Sequence, residues 1–186
     1  MRIIAGTARS RTILAPKGSD TRPTLDRVRE NLFNILGTEV RDAAVLDLFA
    51  GSGALALEAL SRGARRAVLV DRDRSAHAVE RQNVLSLGFS DRCRILLCDW
   101  KQALRKLTEE GTGFDLVFLD PPYAMEDLRQ LSQLLLPLTG ADSLLVTEHQ
   151  AGRPYLLADS WQLCDSRKYG YVGLSMYRRS EEAEPT

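Results

Sequence analysis

The spacing of apolar residues along the chain changes near residue 43. Before that point, residues 3–5 and 12–15 form two short apolar runs on either side of a polar, basic segment, which is typical of a β-hairpin. Farther along, apolar side chains recur with helical spacing at Val28, Leu32, Ile35 and Leu36. This pattern predicts a helix with Thr24 as its N-cap and Gly37 at its end.

From residue 43 onward, strand-like and helix-like segments alternate. The predicted strands are residues 45–49, 67–70, 94–97, 114–119 and 143–147. The predicted helices are residues 54–61, 75–87, 100–107 and 127–136. Because the strands are almost continuously apolar, we expect a parallel sheet that is covered by helices on both faces.

Two strand-like segments near the C-terminus break this alternation. Residues 162–168 and 172–178 are separated by only three residues, and a parallel crossover needs a dozen or more, so these strands must pair antiparallel. The predicted fold class is α/β, with a seven-stranded, mostly parallel sheet, an antiparallel last strand, helices on both faces, and a small N-terminal β-hairpin plus helix. The chain divides into an N-terminal appendage (1–41), a main domain (42–179) and an acidic tail (180–186) that we expect to be disordered.

Composition and charge exclude several classes of protein. The chain has 186 residues, 44% of them hydrophobic, and Lys+Arg equal Asp+Glu at 25 each, as in one ordinary globular domain. No apolar run reaches the 18 residues that a membrane span needs, and the N-terminal apolar segment is too short for a signal peptide. We therefore expect a cytoplasmic protein without a membrane partner.

The cysteines and histidines do not form a recognisable metal or disulfide pattern. Cys93, Cys98 and Cys164 are odd in number and lack CxxC spacing, and the two histidines lie far apart in the sequence. We expect reduced thiols and no metal. Cys93 and Cys98 have opposite parity along one strand, so they are expected to face opposite sides of the sheet.

A glycine-rich turn follows the first strand of the alternating region. Residues 47–56 contain the pattern G-x-G-x-x-A at the start of a helix, and Asp71 lies 18 residues beyond Gly53, at the end of the next strand. Glycines in such a turn allow a ligand to approach the backbone, and an acid at that distance binds ribose hydroxyls. The pattern indicates a nucleotide-type cofactor. NAD-dependent dehydrogenases carry nearly the same letters, and a tight turn without a ligand is the alternative.

The segment Asp120-Pro121-Pro122-Tyr123 ends the fourth strand. In open α/β sheets, ligands bind at the carboxyl ends of the strands. The two prolines remove two N–H donors and leave rigid carbonyl acceptors beside a carboxylate and an aromatic ring. Such a site suits a planar group that carries an amino group, and a rigid turn with a core tyrosine is the alternative.

With these motifs the chain resembles class I S-adenosylmethionine-dependent methyltransferases with a DPPY motif. It is more closely similar to the RsmD family of ribosomal RNA guanine-N2 methyltransferases. The resemblance rests on residues 2–6 (RIIAG), 21–24 (TRPT), 27–30 (RVRE), 32–36 (LFNIL), 47–53, 120–123 (DPPY) and 169–171 (YGY). It implies the Rossmann-like fold of that class.

The resemblance also implies S-adenosylmethionine as the cofactor, S-adenosylhomocysteine as its product, and roles for individual residues. The implied cofactor-binding residues are Asp47, Phe49, Ala50, Gly51, Ser52, Gly53, Asp71, Arg72, Asp99 and Trp100. The implied catalytic residues are Asp120, Pro121, Pro122 and Tyr123. Among these, the Asp120 carboxylate and the Pro121 carbonyl would bind the reacting amine, while Tyr123 would stack on a base turned out of its helix.

Basic residues are concentrated near the N-terminus, where residues 1–41 carry eight basic side chains against four acidic ones. The expected contacts to RNA phosphates are Arg9, Arg11, Lys17, Arg22, Arg27 and Arg29. A solvated charged face is the alternative interpretation. We expect ribosomal RNA as the partner, either alone or within an assembled small subunit, and a monomeric enzyme.

The favoured function is methyl transfer to the exocyclic N2 of a guanine in 16S ribosomal RNA. Because adenine-N6 enzymes share the DPPY motif, methylation of adenine in DNA or RNA is the main alternative. An NAD-dependent dehydrogenase would explain the glycine turn and Asp71 but would leave the segment 120–123 without a role. An RNA-binding protein without catalysis would be expected to have lost residues of the predicted pocket, and every one of these residues is present.

Overall fold

A seven-stranded sheet forms the centre of the protein. The computed structural model describes residues 1–16, 23–122, 124–125 and 127–180. The strands are β1 (Ala44–Asp47), β2 (Arg66–Asp71), β3 (Cys93–Leu97), β4 (Phe114–Leu119), β5 (Thr139–Gln150), β6 (Trp161–Tyr169) and β7 (Val172–Arg179). The α-helices are α1 (Pro23–Leu36), α2 (Ala54–Ser61), α3 (Arg74–Leu87), α4 (Trp100–Glu109) and α5 (Arg129–Leu134), with two 3₁₀ turns at Gly37–Val40 and Leu136–Leu138.

The strand order is β3-β2-β1-β4-β5-β7-β6. Neighbouring strands from β3 to β5 pair in parallel, and β7 pairs antiparallel with both β5 and β6. The predicted fold class is therefore confirmed, including the antiparallel last strand that the short turn before β7 required. Two elements, α2 and β4, have the predicted bounds, while α5 is shorter than the predicted helix 127–136.

Hydrophobic clusters cover both faces of the sheet. The first contains buried side chains of α1, α2, α3 and the N-terminal segment, and the second contains those of α4 and α5. Cys93 packs against the first cluster and Cys98 against the second, which confirms that they face opposite sides. No helix among the described residues is long and apolar enough to cross a membrane.

The N-terminal segment packs against α2. Its predicted hairpin is reduced to a single antiparallel bridge between Arg2 and Thr12. The fully buried Glu58 of α2 accepts hydrogen bonds from the amides of Ile4 (2.8 Å) and Ala5 (3.0 Å). Backbone hydrogen bonds from the Ile3 amide to the Arg11 carbonyl (3.0 Å) and from the Ile13 amide to the Met1 carbonyl (3.1 Å) join the two arms, and Glu58 satisfies the amides that follow Ile3.

Helix α1 differs from its prediction at two positions. It begins at Pro23, so Thr24 is its second residue and not its N-cap; the proline supplies the fixed φ that favours a first helical position. Its buried face includes Val28, Leu32, Phe33 and Leu36, whereas Ile35 is 38% exposed. The domain division stays a prediction, and most of the acidic tail, residues 181–186, lies outside the described residues.

Candidate active site

The order in which successive strands are added to the sheet reverses between β1 and β4. From β1 it proceeds to β2 and β3 on one side, and it then returns to β4 on the other side. Such a switch point opens a crevice at the carboxyl ends of the two strands. A cavity of about 1370 Å³ lies there, lined by Leu48, Phe49, Asp71, Arg72, Cys98, Asp99, Trp100, Lys101, Asp120, Pro121, Pro122, Ala124 and Met125.

The glycine turn after β1 has the backbone conformation that its sequence predicts. Gly51 and Gly53 have φ values of +57° and +77°, which side chains rarely allow. A Cβ at Gly53 would lie 2.6 Å from Leu69, so this glycine is required for packing. A Cβ at Gly51 would meet nothing within 4 Å, which leaves its backbone open to a ligand.

Asp47 is buried beneath this turn. Its Oδ2 accepts a hydrogen bond from the Ala56 amide at 3.3 Å, and its Oδ1 has no partner among the described residues. Burial raises the pKa of the Asp47 carboxyl from its ordinary value of 3.8 to about 7, and the nearby Asp71 contributes in the same direction. A buried polar atom without a partner is rare in a protein, so Asp47 fits a position that faces a bound polar group.

Asp71 connects the end of β2 to the glycine turn. Its Oδ2 accepts from the Gly51 amide and its Oδ1 from the Asp73 amide, both at 2.9 Å. Each oxygen keeps a second lone pair for another donor. The sequence placed Asp71 at the pocket, but it did not reveal that this residue also holds the glycine turn in place.

Asp99 is the N-cap of α4. Its Oδ1 accepts from the amides of Lys101 (2.8 Å) and Gln102 (3.0 Å), while its Oδ2 has no hydrogen-bond partner within the part of the chain that the structure describes. Trp100 is half-buried beside it, and both residues line the cavity. One oxygen of Asp99 therefore fixes the helix, and the other can accept from a ligand.

The segment that follows β4 brings acceptors to the opposite side of the cavity. Asp120 is exposed to the cavity, directly after the last residue of β4. The Pro121 carbonyl accepts a hydrogen bond from the Tyr155 hydroxyl at 3.2 Å. The sequence did not reveal this contact, because Tyr155 lies 34 positions away in a loop without a motif. Tyr123, predicted to stack on the target base, lies outside the described residues.

Glu148 lies beside Asp120 on the neighbouring strand. Leu119 pairs with Thr147, so Asp120 and Glu148 occupy the next positions of two parallel strands. Burial, then Glu148 and Asp47, raise the pKa of Asp120 well above its ordinary value of 3.8; solvent in the open cavity reduces this shift without changing its direction. Burial raises the pKa of Glu148 from 4.5 to about 7. Sequence analysis did not select Glu148, although its position near the carboxyl end of β5 is a signal that could have done so.

Five of the six basic residues predicted to bind RNA divide into three groups. Arg9 and Arg27 are exposed and form no ion pair within the described parts of the chain. Arg11 is also exposed, but its guanidinium donates to the carbonyls of Ser86 and Leu87 at the end of α3. Lys17 and Arg22 lie outside the described residues.

Arg29 is a correction to this prediction. Its side chain is 5% exposed, pairs with Asp26 at 3.0 Å and lies 4.0 Å from the buried Glu58. It also donates to the Arg2 carbonyl. Arg29 therefore joins α1, α2 and the N-terminal segment and cannot reach RNA. The excess of basic residues near the N-terminus does not show which of them pairs with a buried acid in the folded protein.

Comparison with known proteins identifies the family. Residues 1–178 match the family model described as Conserved hypothetical protein 95. Ribosomal RNA small subunit methyltransferase D of Escherichia coli (strain K12) is 37% identical over 188 residues, which cover 99% of this chain and 92% of that protein. The chain belongs to this RsmD family. The resemblance inferred from the sequence motifs is thus confirmed.

Solved structures support the same fold assignment. A hypothetical protein from Thermus thermophilus has a TM-score of 0.80 and 34% identity, with 96% of this chain and 99% of that chain covered. A SAM-dependent methyltransferase from Agrobacterium tumefaciens has a TM-score of 0.60 at 16% identity, covering 85% of this chain and 63% of that chain. The second likeness concerns the fold alone. The described residues contain no group of three or more side chains suited to hold a metal ion.

Proposed function

We propose that this protein transfers a methyl group from S-adenosylmethionine to the exocyclic N2 of a guanine in 16S ribosomal RNA. The observation that carries the proposal is the pair of acceptors, the Asp120 carboxylate and the Pro121 carbonyl, at the edge of a cavity large enough for a nucleoside cofactor. The named activity of the Escherichia coli relative, a ribosomal RNA small subunit methyltransferase, supports ribosomal RNA as the substrate.

The residues that line the cavity, together with Asp47 and the glycine turn on either side of the lining residues Leu48 and Phe49, fit S-adenosylmethionine. The unpartnered Oδ1 of Asp47 and the open side of Gly51 suit the methionine half. The remaining lone pairs of Asp71 suit two ribose hydroxyls, with Arg72 beside them. The unpartnered Oδ2 of Asp99 suits the adenine amino group, and Trp100 forms a wall. When bound, this cofactor supplies an electrophilic methyl group on a sulfonium that is a good leaving group.

Asp120 and Pro121 would activate the amine of the target base. The lone pair of an exocyclic amine is delocalised into the ring, which makes the nitrogen a poor nucleophile. Hydrogen bonds from its two N–H groups to the Asp120 carboxylate and the Pro121 carbonyl favour a pyramidal nitrogen whose lone pair points away from the ring. The carbonyl can accept from the base while it accepts from Tyr155, because it has two lone pairs. The contribution is alignment together with electrostatic stabilisation.

The amine must lose one proton after it gains the methyl group. Asp120 is the nearest proposed base, and the direction of its pKa shift favours it in this role, since a carboxylate with a raised pKa holds a proton more readily. Of the six cations predicted to contact RNA, Arg9 and Arg27 are exposed and form no ion pair with a described residue, so they remain available for RNA phosphates.

Replacement of Asp120 tests the proposal. We expect Asp120→Ala to reduce the single-turnover rate of methyl transfer to 16S ribosomal RNA by at least about 100-fold, by analogy with the loss of one oxyanion-hole donor. Affinity for S-adenosylhomocysteine should stay within a few-fold, because the carboxylate acts on the base. Asp159→Ala, at an exposed position, is the matched control and should retain full activity. An Asp120→Ala enzyme with near-normal activity would contradict the mechanism.

A further inference from the structure

Glu148 is a carboxylate that lies next to Asp120, the proposed catalytic residue. Its side chain is half-buried, and its carboxylate forms no hydrogen bond or ion pair with any described residue. In the register of the sheet, Glu148 lies opposite Leu174 of β7, and Leu174 lies opposite Arg167 of β6. The Arg167 guanidinium pairs with Asp165 at 3.0 Å instead. No cation in the described part of the sheet therefore compensates the charge of Glu148.

The register directs Glu148 and Asp120 to the same face of the sheet. Phe118 pairs with Val146, and both belong to the first hydrophobic cluster. Because side chains alternate along a strand, Glu148 lies on that same face. Asp120 is one residue beyond the end of β4, and the alternation continued by that residue places it on this face too. A carboxylate that is partly removed from water without a partner is unfavourable for stability. Such a group is more readily explained by a ligand that it contacts.

The Asp120 carboxylate, the Pro121 carbonyl and the Glu148 carboxylate lie at neighbouring positions near the carboxyl ends of β4 and β5, and each of them is a hydrogen-bond acceptor. The Watson–Crick edge of guanine presents three neighbouring N–H bonds, two on N2 and one on N1. Adenine presents two N–H bonds on N6 and a lone pair at N1, which a carboxylate repels. Enzymes that act on extruded bases recognise them through this edge.

We propose that Glu148 accepts the N1–H of the target guanine and so selects guanine over bases with a lone pair at N1. The inference rests on the proposed function and extends it from the reacting amine to the choice of base. In this assignment Asp120 and the Pro121 carbonyl bind the two N2 hydrogens, and Glu148 binds the third donor. Glu148 is then a specificity-determining residue, and its contribution is expressed in the ratio of rates for two bases.

The test uses target RNA that carries either guanine or 2-aminopurine at the methylated position. 2-Aminopurine keeps the reacting amine but has a lone pair at N1. Wild-type enzyme should methylate guanine at least about tenfold faster in kcat/KM, the loss expected when a hydrogen bond to a charged group is removed. Glu148→Gln should bring the ratio within about threefold, because the amide group can donate to N1 of 2-aminopurine. Asp142→Asn, at an exposed position near the start of β5, is the control and should keep the wild-type ratio.

Each outcome is decisive for one of the two proposals. If Glu148 is only structural, Glu148→Gln lowers both rates by the same factor and the ratio stays unchanged, which overturns the inference. If the variant fails to fold, judged by its affinity for S-adenosylhomocysteine, the wild-type ratio alone decides: equal rates on the two bases overturn the inference. If the wild-type enzyme methylates neither base, the proposed function itself has failed.

Discussion

The buried carboxyl of Glu80 on α3 makes the stability of the protein depend on pH in a predictable direction. Its side chain is 0% exposed, and neither oxygen has a hydrogen-bond partner among the described residues. The Nδ1 atom of His77 lies 3.9 Å from Oε2 of Glu80. Burial, followed by the charges of Asp71 and Asp47, raises the pKa of Glu80 from its ordinary value of 4.5 to about 8. The folded protein therefore holds a proton on Glu80 across a pH range in which the unfolded chain has released it.

The sign and the magnitude follow from proton linkage. Because the pKa is raised in the folded state, the stabilising contribution is complete below pH 4.5 and is lost as the pH rises through about 8. At about 1.36 kcal/mol per pKa unit, the free energy of unfolding should fall by roughly 3–4 kcal/mol between pH 5 and pH 8 through this group alone. This is an upper estimate, since the partly exposed His77 gives water a route toward the carboxyl.

Glu80→Gln isolates this contribution. The amide has nearly the same shape and does not ionise, so the stability difference between wild type and variant should change by roughly 3–4 kcal/mol from pH 5 to pH 8, as measured by urea unfolding followed by circular dichroism. The comparison removes the contributions of other carboxyls with raised pKa values. Glu109→Gln, exposed on α4, is the control and should leave the pH dependence unchanged. Wild-type and Glu80→Gln stability curves that run parallel would refute the reasoning.

Three predictions concern the site and its partners. Asp71→Ala should weaken S-adenosylhomocysteine binding by more than about tenfold, because two hydrogen bonds to a charged group are lost; unchanged affinity in calorimetry would remove the ribose assignment. The rate of methylation should fall as the pH decreases through about 7, because burial raises the pKa of Glu148 to about 7 and protonation removes the charge that strengthens its hydrogen bond. The raised pKa of Asp120 acts in the same direction; a flat profile from pH 6 to 8 would argue against this. Arg9→Ala with Arg27→Ala should flatten the salt dependence of RNA affinity by roughly 0.7–0.9 per lost phosphate contact, and an unaltered slope would show that neither residue contacts RNA.

The local elements and the main motifs could be predicted from the sequence because they depend on short-range patterns. Periodicity gave α2 and β4 with their observed bounds, and the short turn before β7 required antiparallel pairing. The segments after β1 and β4 meet at one cavity, which Phe49 and Asp120 both line, because both follow parallel strands at a switch point.

The contacts that sequence analysis missed join distant segments. Tyr155 reaches the Pro121 carbonyl from a loop with no recognisable motif. Arg29 is buried and its guanidinium lies beside Asp26 and Glu58, whereas the excess of basic residues near the N-terminus suggested an exposed cation. Glu148 can be recognised as a candidate site residue only from the strand register, which places it beside Asp120. Strand order and register are tertiary properties, so none of these residues could be assigned from local pattern.

Mass spectrometry of nucleosides tests the central claim most directly. Purified enzyme is incubated with S-adenosylmethionine and with 16S ribosomal RNA, free or in small subunits, from a strain that lacks the gene. The account predicts one new N2-methylguanosine per RNA molecule with wild-type enzyme and none with Asp120→Ala. Formation of new N6-methyladenosine, or the absence of any new methylated nucleoside on both forms of the substrate, would contradict it.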